Sequence, residues 1–248
     1  MIIEWHKLGV ENGDRLLIQG NLGRLFARSG YKSKTHFFDA FIEEILSQVG
    51  SGAVCFPVFN FDFYSGGKFD FQETKSQMGS HTNYYKLKPY FHRSMHPIYG
   101  FISSDADLLL QSDDSYYCFG EKSVFDALAL VHAKQIVVGL PDAKSMTLYH
   151  HAEKLAGASH REEKQFSGKY VLNKSSIVGY RCSSYVRKSG VQTQVEPIER
   201  LMWQKNIWQG NQWDKGDGVR LCHFNDVINL VAEIVDSGKA EEYLYGYL

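Results

Sequence analysis

Apolar positions recur along the chain with two different periods, and together these predict a mixed α/β fold. Residues 15–18 are an apolar run after a Gly13-Asp14 turn and predict a buried first strand. Residues 34–49 carry the clearest helical period. Phe37 or Phe38, Phe41, Ile45 and Val49 recur three and four places apart, and Gly50-Ser51-Gly52 follows as a stop. Residues 53–59 predict a second strand, so a βαβ unit with a parallel pair is expected. Residues 60–80 lose the period. They are rich in aromatics and glycine, which predicts a long ordered loop rather than disorder. Beyond it, residues 84–93 read as irregular or a short helix and 98–103 as a strand. Residues 124–133 read as a helix capped by Ser123, and 135–140 as a strand. Residues 170–172 and 177–182 predict strands of an antiparallel excursion, and 225–235 an amphipathic helix. The expected architecture is three-layer α/β/α in one domain over residues 1–248, with a mainly parallel central sheet and a smaller antiparallel excursion.

The stretch from Gly139 to Gly157 concentrates candidate chemistry. A strand ends in Pro141-Asp142, and a short helix with His150, His151 and Glu153 follows. Loops at the carboxyl ends of strands are where α/β folds hold ligands. At ~100° per residue, Leu148, Ala152 and Leu155 share a stripe, and His151 lies beside it. His150 falls on the opposite side with Glu153 at i+3. The wheel predicts a buried, structural His151 and a His150 that faces solvent or a cleft. A histidine oriented by a carboxylate is a competent general base, and the structural alternative is a surface pair.

Composition narrows the class. The chain has 248 residues, 44% hydrophobic and 22% charged, with a formal net charge of -1, which gives no support to a nucleic-acid or membrane-surface partner. No leader pattern opens it and no run approaches the ~20 apolar residues of a membrane span. The scattered Cys55, Cys118, Cys182 and Cys222 fit reduced thiols, so a cytoplasmic location is expected. With no cysteine pair and no H-E-x-x-H, no metal site is expected.

Other candidates are weaker. Gln19-Gly20-Asn21-Leu22-Gly23 follows the first strand and could bring backbone N–H groups to a phosphate or carbonyl oxygen; an ordinary strand-to-helix turn is the alternative. Arg93-Ser94-Met95-His96-Pro97 contains a serine and a histidine, but a turn fixed by Pro97 is the stronger reading. Trp203, Trp208 and Trp213 could stack on a sugar or pack as a lid, and Asp62 and Asp70 could meet a substrate ammonium or be solvated.

Taken in order, these stretches resemble the aminoglycoside 3-N-acetyltransferase family. The resemblance runs through Gly13-Asp14, Ile18 to Leu22, Pro57 to Asn60, Met78-Gly79, Arg93 to Pro97, Phe119 to Ser123 and Met146 to Glu153. It covers roughly residues 8–168, with residues 169–248 matched loosely. It implies an acyl-CoA-dependent N-acyltransferase with a non-GNAT α/β/α fold, acetyl-CoA or another acyl-CoA as co-substrate, and a homodimer as an open option. It implies His150 as general base with Glu153 as its partner. It also places Gln19, Gly20, Asn21, Leu22, Ser94 and Thr147 around the acyl-CoA, and Asp62, Arg93 and His96 around the acceptor.

Two departures change the expected substrate. The family's His-Ser-Ser is Gln19-Gly20-Asn21, and the Asn before the threonine is Met146. The expected acceptor is therefore the primary amine of an amino sugar, and more specifically a nucleotide-linked deoxyamino sugar. The alternatives are an aminoglycoside acceptor, with antibiotic resistance as the outcome, and a non-catalytic sugar- or CoA-binding homologue.

Overall fold

A computed structural model describes residues 3–110, 116–173 and 176–248. The first half carries β1 (Arg15–Gly20), α1 (Leu22–Ser29), α2 (Lys34–Val49), β2 (Ala53–Pro57), β3 (Lys68–Asp70), α3 (Ser80–Tyr85), β4 (His92–Arg93), β5 (Phe101–Ser103) and α4 (Ala106–Leu110). The second half carries α5 (Val124–Leu130), β6 (Lys134–Val138), α6 (Leu148–Leu155), β7 (Arg161–Asn173), β8 (Ser176–Arg187), β9 (Val191–Thr193) and α7 (Glu196–Gln204). It closes with β10 (Gln209–Gly210), β11 (Val219–His223), α8 (Phe224–Asp236), α9 (Ala240–Tyr243) and β12 (Tyr245–Tyr247).

A seven-stranded sheet in the order β10-β11-β6-β1-β2-β5-β4 forms the middle layer. β6, β1 and β2 are mutually parallel, while β11 and β5 run antiparallel to their neighbours. Five of the seven strands therefore point one way. Residues of β1 alternate between two cores, as strand geometry requires. Leu16 and Ile18 join Phe37, Phe41 and Ile45 of α2 on one face. Leu17 joins Phe125, Leu148, Val227 and Val231 of α5, α6 and α8 on the other. Both faces of the central strands are covered, which is why they read as continuous apolar runs. The three-layer expectation holds.

α2 begins at Ser33, whose hydroxyl accepts from the His36 N–H, and ends where Gly50 donates its N–H to Leu46. Its fully buried Phe37, Phe41, Ile45 and Val49 each contribute about 1.5–3 kcal/mol, far above helix-propensity differences of a few tenths. At α1 the alternative reading, a strand-to-helix turn, is the one the structure shows. Residues 21–23 are not a free glycine loop but a helix start, with the Asn21 side chain accepting from Gly23 N–H. The antiparallel excursion is also longer than the sequence indicates. β7 and β8 form one hairpin, joined on its outer side by β3. Residues 161–169 show no apolar alternation because most of that strand is exposed. This second sheet has its own small core of Phe63, Phe69, Ile98, Tyr170 and Cys182.

The four cysteines are free and buried. Among the described residues, no helix is long and apolar enough to cross a membrane, and no group of three or more His, Cys, Asp or Glu side chains could hold a metal ion.

Candidate active site

Helix α6 follows β6 across a turn that is fixed from below. Asp142, fully buried, receives Arg220 Nη2 at 2.6 Å and the Tyr149 hydroxyl, and its backbone N–H donates to Glu199 at 3.2 Å. The Asp142 carbonyl then caps the turn by accepting from Ser145 and Met146. α6 stops at Gly157, whose φ of +65° is left-handed, and Ala158 N–H returns to the Glu153 carbonyl at 2.9 Å. That reversal brings His160 and Arg161 back against Glu153.

The result is a buried carboxylate with three nitrogen partners. Glu153, 1% exposed, meets His150 Nδ1 at 3.0 Å, His160 Nε2 at 2.8 Å and Arg161 Nε at 2.6 Å. Burial works to raise its pKa, but the two histidine hydrogen bonds and the Arg161 charge outweigh it and hold the carboxyl at about 2. An ionised carboxylate only accepts, so Nδ1 of His150 is the donor and Nε2 keeps its lone pair. Burial and the positive charge of Arg161 lower the His150 pKa, Glu153 opposes them, and Arg187 adds to the lowering. The ring is therefore neutral near pH 7. Phe119 meets it edge-on at 5.8 Å. His151 behaves as the wheel predicts. It is fully buried, accepts from Gly120 N–H at 3.1 Å, and burial lowers its pKa to about 3. Leu155 does not follow the wheel: it is 44% exposed, because the last turn of α6 leaves the core.

His150 lies where two cavities meet. One, of about 220 Å³, is lined by Gln19, Phe59, Met78, Met146, Thr147 and His150 among others. It shares Gln19, Met78 and Lys144 with a cavity of about 360 Å³ that includes Gly20, Asn21 and Lys34. On the other side, a cavity of about 630 Å³ shares Tyr99, Ala143, His150 and Thr193 with the first and extends along the β7–β8 hairpin. The three form a continuous cleft with His150 near its middle.

The other expected site residues divide. Gln19, Gly20 and Asn21 line the cleft, but the Leu22 side chain is buried in the core and Asn21 N–H is already donated to Val138. Thr147 lines it, with Oγ1 3.5 Å from Gln19 Nε2, the outer limit of a hydrogen bond. Ser94, Arg93 and His96 lie outside the cavities described above. Ser94 accepts from Phe101 N–H, Arg93 stacks over Phe69 and Phe71, and His96 accepts from the backbone of Ile98 and Tyr99. Burial lowers His96 to about 4. These three brace the aromatic segment, and through it Tyr99. Asp62 accepts from Asn60 and Gln77 at the cleft's outer edge, and Gln77 itself lines the 360 Å³ cavity. Trp203 and Trp208 are packed inward rather than presented as a sugar platform, while Trp213 is 38% exposed and lies outside the three cavities. Trp208 packs over the Arg220 guanidinium and Trp203 against the core. His160, Arg161 and the buried Gln135, which donates to Gln19 at 3.0 Å, are contributors that no motif marks.

A model of the aminoglycoside 3-N-acetyltransferase family matches residues 55–236. The chain belongs to this family. The family is one of CoA-dependent N-acetyltransferases, and an acyl-CoA is its co-substrate. The Gln19-to-Leu22 loop, where the sequence departs from the family pattern, lies before the matched stretch. Among solved structures, the chain is similar to "AAC-IIIb binary with CoASH", with a TM-score of 0.77 at 16% identity over 96% of this chain and 95% of that one. It is similar to aminoglycoside acetyltransferase AAC(3)-Xa, with a TM-score of 0.75 at 19% identity over 97% and 91%. It is also similar to the YokD protein from Bacillus subtilis, with a TM-score of 0.68 at 14% identity over 94% and 95%. At these identities the likeness shows the fold. No curated protein sequence matches the chain.

Proposed function

We propose that this family member transfers an acyl group from CoA to the primary amine of a nucleotide-linked amino sugar, with His150 as the base. The observation that carries the reaction is the position of His150 Nε2, deprotonated by the Glu153 arrangement and set at the junction of two cavities. A thioester entering from the Gln19–Asn21 side and an amine entering along the hairpin meet there. The amine nitrogen bonds to the thioester carbonyl carbon, and its proton passes to His150 Nε2. The oxyanion is steadied by the positive end of the α1 dipole rather than by the Asn21 and Gly23 N–H groups, which are bonded to Val138 and to the Asn21 side chain. Collapse breaks the C–S bond, and the CoA thiolate takes the proton. Thr147 and Gln19 orient the thioester, and direct transfer in a ternary complex is favoured because all four cysteines are buried and free of the cleft.

The acceptor class is argued from charge. Arg161, Lys164 and Arg187 line the acceptor-side cavity, and among the described residues no carboxylate does. An aminoglycoside is a polycation and needs carboxylates to hold its ammonium groups. One related structure is described as AAC-VIa bound to sisomicin, which states that relative's ligand and not this chain's. The test is free-thiol release from several acyl-CoAs against a panel of aminoglycosides, free amino sugars and nucleotide-linked amino sugars. Preference for an aminoglycoside defeats the acceptor assignment; no thiol release with any amine defeats the reaction.

A further inference from the structure

The three cations beside His150 are not equivalent. Arg161 is buried and already neutralised by Glu153 at 2.6 Å. Arg187 lies directly opposite it across the β7–β8 ladder, on an exposed stretch. Like charges directly opposite on antiparallel strands repel, and among the described residues no carboxylate pairs with Arg187. Its charge reaches His150 and adds to the lowering of that histidine's pKa. Lys164, also exposed, lines the same cavity and sits 5.6 Å from the Phe166 ring. Glu163, next to Lys164 in the strand, is engaged by Lys154, and neither it nor Glu162 lines the cavity.

The wall next to these cations is aromatic. Phe166 meets Tyr64 edge-on at 4.6 Å, and Tyr64 in turn stacks parallel to Phe61. The Tyr64 hydroxyl is tied to Ser184 at 2.8 Å, so the ring is fixed. A volume of about 630 Å³ falls within the range that takes a nucleotide-sized ligand.

We propose that Lys164 and Arg187 form an anion subsite for the phosphate groups of the acceptor, with Tyr64 and Phe166 as the flat wall beside it. The subsite rests on the acceptor reading above and names the residues that would select it. Phosphates there meet the two cations at different points of the wall of a cavity that His150 also lines. CoA also carries a diphosphate, so the test must separate the two sources.

Inorganic pyrophosphate and UDP are titrated calorimetrically into the protein with CoA held at saturation. The expected result is binding of at least one probe in the presence of CoA, weakened roughly tenfold by Arg187→Ala and again by Lys164→Ala, as loss of a charge-assisted contact predicts. Arg187→Lys, which keeps the charge, retains most of the affinity. Equal melting temperatures and unchanged CoA affinity show that the variants fold. Three results overturn the subsite: neither probe binds at millimolar concentration, CoA displaces them, or both alanine variants bind as the wild type does. The readout needs no turnover, so it stands apart from the reaction. A protein that binds pyrophosphate through Arg187 yet releases no thiol with any amine keeps the subsite and loses the acyltransferase reading. One that acylates a nucleotide-linked sugar with no effect of either alanine substitution on pyrophosphate binding loses the subsite and keeps the reading.

Discussion

Replacing Glu153 by Gln tests the centre of the site most directly, because Gln resembles the protonated acid in shape. The folded protein holds Glu153 at about 2 against an ordinary 4.5. That depression of about 2.5 units corresponds to about 3 kcal/mol favouring the charged form, and the variant forgoes it. An independent argument gives the same size. Removing one partner of a buried ion pair costs ~3–5 kcal/mol, and here Arg161, 4% exposed, is left without its carboxylate. For a domain of this length the melting temperature should fall by about 6–12 °C. Catalysis should suffer separately. The amide can donate as well as accept, so it no longer fixes the His150 tautomer or steadies the imidazolium. Turnover should drop ~10²-fold or more. The acid limb of the pH–rate profile should move down, because Glu153 is the group that raises the His150 pKa. Thiol release measured well below the lowered melting temperature, across pH 5 to 9, reads both effects. A variant with wild-type melting and turnover within a few-fold of normal would falsify the account of Glu153.

Further expectations follow from the same contacts. His150→Ala should reduce turnover ~10²-fold or more while leaving CoA affinity intact in a titration; near-full activity in a folded variant removes His150 as the base. Burial lowers His81 and His96 to about 4 and His151 to about 3, all below the ordinary 6.5. Because these folded pKa values are depressed, their contribution is complete above pH 6.5 and is lost as pH falls toward 3. Each is worth up to about 3 kcal/mol or more, so urea midpoints should drop steeply between pH 6.5 and 4; a flat profile contradicts their buried, neutral state. Gly20→Ala would set a Cβ 2.2 Å from the Val138 carbonyl oxygen at a φ of +145°, and that oxygen is backbone, which cannot swing aside. It should cost ~1–3 kcal/mol or more in urea melts and weaken CoA binding, and unchanged values would contradict the close packing of this loop on β6.

What the sequence reveals tracks how local the physics is. α2 and α8 are legible because their apolar residues keep helical spacing over several turns. The choice of His150 over His151 is legible because α6 has one buried face. The Glu153 contact is legible too, since i and i+3 meet on any helix. His160 and Arg161 are not legible, because a glycine reversal brings them back and no spacing rule encodes that. Gln135 looks like one polar residue in an apolar strand until its bond to Gln19 is seen. Arg93 to Pro97 errs the other way. The motif is complete, yet its side chains hold Phe69, Phe71 and Tyr99 in place and do not line the cleft. At Gln19 to Gly23 the sequence leaves a ligand-approaching loop and a strand-to-helix turn both open, and the Asn21 cap of α1 decides for the turn.

The proposed base and the proposed acceptor wall sit in parts of the fold that differ in how freely their residues can change. The base is held by residues that cannot drift: Glu153 and Arg161 are buried together, and altering either strands the other's charge. Its register is set by Asp142 and Arg220, also fully buried. The acceptor wall is different. Lys164 and Arg187 stand exposed on a hairpin whose stability comes from its own cluster around Phe69 and Tyr170. Exposed substitutions usually change stability by within about 0.5 kcal/mol. On the proposed reading, the charge of that wall can therefore be altered at little cost in stability while the arrangement around Glu153 on α6 is retained.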